Sequence, residues 1–165
     1  MTSICRQLSS AEEARAGVTA ARVINSAKEA IKKSFFIWEP PYVEKTSISF
    51  EYEVPSVEEM KQRIQTIGKQ YPFFVMEINQ RIVGYAYAST FRSRPAYQWC
   101  AELSIYVDEN EKGKGIGTAL YKALLEQLKQ KGFHSVCACI TYPNEDSIAF
   151  HEKMGFTLNA HFHEC

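Results

Sequence analysis

The sequence predicts an α/β layer fold with a mostly antiparallel sheet and one helix crossover near its end. Three observations carry this expectation. β-rich runs alternate with helical stretches along the chain. Two of those runs, Tyr71 to Ile78 and Ile82 to Thr90, flank a short polar break at Asn79-Gln80, which reads as a hairpin. The clearest helical stripe, Ile116, Leu120, Leu124 and Leu128, lies between two further β-rich runs.

Taken in order, Ile4 to Leu8 reads as a short strand. Ser10-Ala11-Glu12-Glu13 has the spacing of a capping box and opens a helix running towards Lys33. Phe35 to Tyr42 is aromatic, and the pair Pro40-Pro41 makes it a loop with much apolar surface. Ser56-Val57-Glu58-Glu59 repeats the capping signal, and Val57, Met60, Ile64 and Ile67 follow at helical spacing before Gly68. After the hairpin, Trp99 to Val107 is a third strand alongside it. Gly115 to Lys131 is a helix, with Gly132 where a left-handed C-terminal residue is wanted. His134 to Ile140 reads as a buried strand, Pro143 to Asp146 as a turn, Ser147 to Met154 as a short helix and Thr157 to Phe162 as a final strand.

A chain of 165 residues with 45% hydrophobic composition can bury one substantial core, so 1–165 is read as a single domain. Nineteen basic and nineteen acidic side chains cancel, which removes the net field that would draw the chain to nucleic acid or an anionic membrane. Small molecules are the expected partners. The five cysteines are odd in number and scattered, which fits reduced thiols in the cytosol better than a disulfide framework. Cys137-x-Cys139 would point to one face of a strand, and with no second pair it reads as two core cysteines; neither it nor His161-x-His163 is assigned a metal. No secretory leader or membrane span is legible, so a cytoplasmic location is expected.

Lys112-Gly113-Lys114-Gly115-Ile116-Gly117-Thr118 joins a strand to the strongest helix. Glycines let backbone N–H groups approach a ligand, and a helix N-terminus adds partial positive charge, which together suit a diphosphate. A flexible Gly-Lys turn is the other reading. The segment is neither a Walker loop nor a dinucleotide fingerprint.

With that loop, the chain resembles the GNAT superfamily of acyl-CoA N-acyltransferases, whose loop reads Q/R-x-x-G-x-G/A before a long helix; Lys112 here takes the first position. Pro143 to Phe156, an Asn followed by a helix ending Lys153-Met154-Gly155-Phe156, is similar to the second signature of that family. Phe91-Arg92-Ser93-Arg94-Pro95-Ala96-Tyr97-Gln98-Trp99, Ala101 to Val107 and His151-Glu152 sharpen the resemblance towards its phosphinothricin acetyltransferase group. The resemblance implies a mixed, mostly antiparallel sheet flanked by helices on both faces, acetyl-CoA as cosubstrate and a homodimer. It covers most of the chain from about Thr46. Relative to that group, Ser34 to Lys45 looks like an insertion near the substrate pocket, and the chain stops before the segment that usually supplies the last strand, which suggests a truncated C-terminus.

The resemblance also implies roles. Glu102 matches the proposed base; its spacing alone fits a strand-end carboxylate paired with Arg92 or Arg94. Ile105, Tyr106 and Val107 match the segment whose main chain runs beside the pantetheine arm. Lys112, Gly113, Lys114, Gly115, Ile116, Gly117 and Thr118 would hold the diphosphate. Asn144 would bond the pantetheine or phosphate region, or be a turn former after Pro143. His151 matches a histidine near the sulfur or the substrate, as acid, second base or orienting donor, or is a satisfied structural residue. Arg92, Arg94 and Tyr97 match positions near the acceptor's anionic part, where a guanidinium can clamp a carboxylate or phosphinate; a solvated basic loop is the other reading. Phe50 and Tyr121 are pocket-wall candidates. The implied reaction is acetyl transfer to a small amino acid-like acceptor of the phosphinothricin, methionine sulfoximine or sulfone type. Alternatives are another amine, a protein N-terminus, or a non-catalytic acyl-CoA sensor.

Overall fold

A computed structural model of the chain describes residues 1–8, 21–25, 43, 46, 48–49 and 51–163. Among the described residues, seven strands form one sheet in the order β2-β3-β4-β5-β6-β1-β7. They are β1 Thr2–Gln7, β2 Ala21–Asn25, β3 Phe73–Ile78, β4 Arg81–Thr90, β5 Cys100–Val107, β6 Ser135–Ile140 and β7 Thr157–His161. The described residues also form three α-helices: α1 Val57–Gln70, α2 Ile116–Gln130 and α3 Glu145–Lys153. Every ladder is antiparallel except β5 with β6, the two strands that α2 connects. The expected α/β class and hairpin therefore hold, and the one expected crossover is joined by a second: β6 and β7 both run antiparallel to β1 between them, so they are parallel to one another and α3 carries the chain across.

Local chemistry explains the pieces. Asn79 and Gln80 both take positive φ, 49° and 64°, the conformation that a two-residue hairpin turn requires. The Ser56 hydroxyl accepts from the Glu59 N–H at 3.3 Å, and Glu59 Oε2 accepts from the Ser56 N–H at 2.8 Å, so α1 opens with a closed capping box. On α2, Leu120, Leu124 and Leu128 are fully buried, each contributing roughly 1.5–3 kcal/mol of burial. Gly84 of β4 lets that helix sit close, because a Cβ there would stand 3.2 Å from both Ile116 Cγ2 and Leu120 Cδ1.

Two expectations are corrected. The helix from Ser10 to Lys33 fails at residues 21–25, which form β2. Val23 and Ile24 are β-branched, and the ladder from Ala21↔Ile78 to Asn25↔Phe74 satisfies their backbone on the edge of β3. The remainder of that stretch, the aromatic run at 35–42 and Phe50 lie outside the described residues. The reduced state expected for the cysteines fails at Cys5 and Cys137, which β1 and β6 set directly opposite one another and which are joined as a disulfide with Cα atoms 4.1 Å apart. Cys100 and Cys139 take part in no disulfide.

Strand alternation sorts side chains between two layers. Phe74 and Met76 of β3 pack with α2, whereas Phe73 and Val75 pack with Met60 and Ile64 of α1. Along β5 the same alternation sends Ala101 and Leu103 to the α2 layer and turns Tyr106 to the α1 layer; Glu102 and Ser104 share the face of Tyr106. The parallel ladder of β5 with β6 has three positions and ends at Glu102↔Cys137. Beyond it β5 stays with β4 as far as Val107, and β6 stays with β1 as far as Ile140. The sheet therefore forks after Glu102, leaving a slot through its middle.

Candidate active site

The slot connects the two layers. A small cavity of about 80 Å³ within it is lined by Glu102, Ser104, Tyr121, Cys139, Ser147 and His151, among others, although Glu102 and His151 belong to opposite faces of the sheet. A larger cavity of about 570 Å³ opens on the α2 and α3 side and shares Ile105, Tyr106, Asn144 and Ser147 with the first. Its walls include Val107, Lys112, Gly113 and the first turn of α2, Ile116 to Thr118.

That first turn is built to receive an acceptor. Ser56 and Asn144 cap α1 and α3 with side-chain oxygens, but Gly115 at the head of α2 has no side chain to offer. The N–H groups of Ile116, Gly117 and Thr118 precede the first intrahelical bond, Ala119 N–H to Gly115 O at 3.0 Å. Gly113 and Gly115 take φ of 77° and 79°, which wraps the loop around that turn; a Cβ at either would meet nothing, so glycine is kept for its backbone. At Gly117 the reason is space, since a Cβ would lie 3.2 Å from the Phe150 ring. Glu111 holds the loop from behind, binding Arg81 and Lys114 at 2.8 Å each. These residues fit the diphosphate of a coenzyme A thioester: a concave run of N–H donors at a helix start, with Lys112 beside it.

Alternation of bonding gives β5 a second donor. Asp108 donates its N–H to Val83 O at 2.9 Å, so even-numbered amides of β5 face β4 and the Ile105 N–H faces the slot. Asn144 stands across from it. Its Oδ1 accepts from the Ser147 N–H at 3.2 Å, which leaves the Nδ2 hydrogens for a ligand.

Glu102 is half-buried at the fork. Burial raises its carboxyl above the ordinary range, while a hydrogen bond from the Cys139 thiol and the charge of Arg92 pull it back down. A carboxylate with raised proton affinity in a cleft is suited to take a proton from an ammonium group. Arg92 also lies over the Phe91 ring, 5.4 Å from its centroid. Arg94 and Tyr97 are exposed on the loop that follows, with Tyr97 edge-on to Phe91.

His151 is buried at 3% exposure. Its Nδ1 lies 2.7 Å from the Ser147 carbonyl, which can only accept, so Nδ1 carries the proton and Nε2 presents its lone pair. The Tyr121 hydroxyl, itself without exposed surface, donates to that Nε2 at 2.8 Å. Burial lowers the His151 pKa and raises that of Tyr121, so both stay neutral. Sequence reasoning named both residues but not their bond. It missed Cys139 as a wall of the slot; the shared face of Cys137 and Cys139 was legible, whereas the neighbour of that face was not.

A family model described as an acetyltransferase (GNAT) domain matches residues 24–165. The phosphinothricin N-acetyltransferase of Streptomyces viridochromogenes is 34% identical over 116 residues, 70% of this chain and 63% of that protein. An L-methionine sulfoximine/L-methionine sulfone acetyltransferase of Salmonella typhimurium is 36% identical over 90 residues, 54% of this chain and 53% of that protein. Each match spans less than two thirds of the relative's own length. A crystal structure of a GNAT superfamily phosphinothricin acetyltransferase from Sinorhizobium meliloti, in complex with AcCoA, matches with a TM-score of 0.78 and 34% identity over 86% of this chain and 77% of that one.

Proposed function

Because this chain belongs to the GNAT acetyltransferase family, we propose that it transfers acetyl from acetyl-CoA to the amine of a small amino acid-like acceptor, of the phosphinothricin or methionine sulfoximine and sulfone type. The observation that carries this reading is the forked sheet. On one side of the slot lies a glycine cradle shaped for a diphosphate; on the other lies Glu102, a proton acceptor, with the charge of the exposed Arg92 acting on it.

Acetyl-CoA supplies the acyl group as a thioester. The first turn of α2 binds its diphosphate, with Lys112 and Asn144 flanking, and the Ile105 N–H donates to the carbonyl oxygen, strengthening as negative charge grows there. Arg92, with Arg94 and Tyr97 nearby, orients the acceptor's carboxylate or phosphinate. Glu102 removes a proton from the acceptor ammonium, directly or through water, and the freed nitrogen bonds to the acyl carbon as the C–S bond breaks. The neutral Tyr121–His151 pair walls the slot without adding charge. We also assign 1–165 to one catalytic domain, place it in the cytoplasm where its cosubstrate is made, and propose a homodimer. The exposed apolar side chains Leu158 and Phe162 at the edge of β7 are surface that a second copy would cover.

The test is release of free CoA with L-phosphinothricin, methionine sulfone, methionine and their decarboxylated amines. Turnover that favours the acids over the decarboxylated amines is expected. Acetyl-CoA binding without turnover on any acceptor, including other amines and peptides, would instead make the chain a sensor. Light scattering of a monomer at micromolar concentration with full activity would remove the dimer.

A further inference from the structure

We propose that Cys139 is a positioning residue for Glu102, its thiol donating a hydrogen bond that aims the carboxylate into the slot. This rests on the reading of Glu102 as the proton acceptor. Register places the thiol there: Glu102 stands opposite Cys137, the last rung before the fork, and Cys139 follows two residues on, on the same face of β6. Past that rung no ladder joins the strands, so a side-chain contact across the fork has to do what the missing backbone bonds would have done. Glu102 and Cys139 line one cavity, and the thiol is bonded to the carboxylate.

Several of the other groups around Glu102 are engaged elsewhere. Both His151 nitrogens are engaged, by Ser147 O and by Tyr121, whose hydroxyl proton points to Nε2. The Cys137 sulfur is bonded to Cys5, with Cys100 Sγ 3.7 Å away. Tyr106 shares the face of Glu102 but stacks on Tyr85 with centroids 5.0 Å apart. Arg92 is exposed and acts on the carboxylate through charge. Cys139, on the same face one step past the last rung, supplies a directed donor. A thiol is a weak donor, enough to set a rotamer and to offset part of the desolvation without locking the carboxylate into an ion pair that would abolish its basicity.

The experiment is a carbon-detected NMR titration of the Glu102 carboxyl, assigned by its loss in Glu102→Gln, in the parent, Cys139→Val and Cys139→Ser. Removing the donor destabilises the carboxylate, so Cys139→Val should raise the titration midpoint by about 0.5 pH units. Cys139→Ser should leave it at or below the parent value. The acid limb of kcat/KM should move with the midpoint, lowering kcat/KM about threefold on that limb at unchanged acetyl-CoA KM. Cys139→Ala gives the same reading should the valine fail to fold. Equal midpoints in parent and Cys139→Val, equal shifts in the valine and serine variants, or a shifted midpoint with an unmoved acid limb would each overturn the proposal. Full activity of Glu102→Gln would overturn the underlying reading of Glu102 instead, and the NMR midpoints distinguish the two failures.

Discussion

Deleting one hydroxyl at Tyr121 should cost far more than its size suggests. Tyr121→Phe keeps the ring that packs against Phe150, His151 and Phe156, with centroids 5.3, 5.3 and 6.0 Å away, so little apolar contact is lost. What is lost is the donor to His151 Nε2, in a pair whose histidine is 3% exposed and whose tyrosine has no exposed surface. The Nδ1 proton is fixed on Ser147 O, so the ring cannot flip its tautomer to compensate. A buried acceptor left without a partner costs about 1–3 kcal/mol. In a domain of this size each kcal/mol moves the midpoint about 2–4 °C, so Tm should fall by roughly 2–12 °C. Scanning calorimetry measures it, and a cycle with His151→Leu isolates the pair. The double variant should be more stable than the sum of the single effects predicts, by about 1 kcal/mol. A Tyr121→Phe variant melting within a degree of the parent, or strictly additive effects, would refute the reasoning.

Three further outcomes are expected. Glu102→Gln should lower kcat by roughly 10² to 10⁴ with acetyl-CoA affinity near normal, and part of the rate should return at alkaline pH as free amine accumulates. The same variant should be more stable than the parent at neutral pH. Burial raises the Glu102 pKa in the fold, so as pH rises the unfolded chain releases its proton first, and the carboxylate costs stability from about pH 4.5 upward that a glutamine does not; urea melts at pH 4 and pH 7.5 should show the gain only at the higher pH. Gly115→Glu should weaken acetyl-CoA binding at least tenfold by calorimetry, since it forces a side chain onto a φ of 79° and sets a negative charge at the cradle.

Legibility in the sequence followed the range of the forces involved. The α2 stripe, the Ser56 capping box and the Asn79-Gln80 turn are decided within a few residues, and each formed where the pattern placed it. The glycine cradle was legible for the same reason. Ala21–Asn25 was misread because local helical continuity was outweighed by an open edge on β3, a partner more than 45 residues away along the chain. The Tyr121–His151 bond joins residues 30 apart and the Cys5–Cys137 pair spans 132, so neither leaves a local mark. Resemblance assigned Glu102 a role; only the register of β5 on β6 supplied Cys139 as its neighbour.

The position of β1 bears on how the chain folds as it is made. Both neighbours of this strand, β6 and β7, are synthesised after β2 to β5, whereas β2 to β5 pair in order with strands translated just before or after them. At about 5–20 residues per second, the 132 residues between Cys5 and Cys137 keep β1 waiting roughly 7 to 26 s on the ribosome. Throughout that interval Ile4, which ends with no exposed surface, is bare to solvent on a strand with two unpaired edges. The nascent chain therefore holds a half-built sheet and a loose strand carrying a bare Ile4 at once, the condition in which a holding chaperone is most useful.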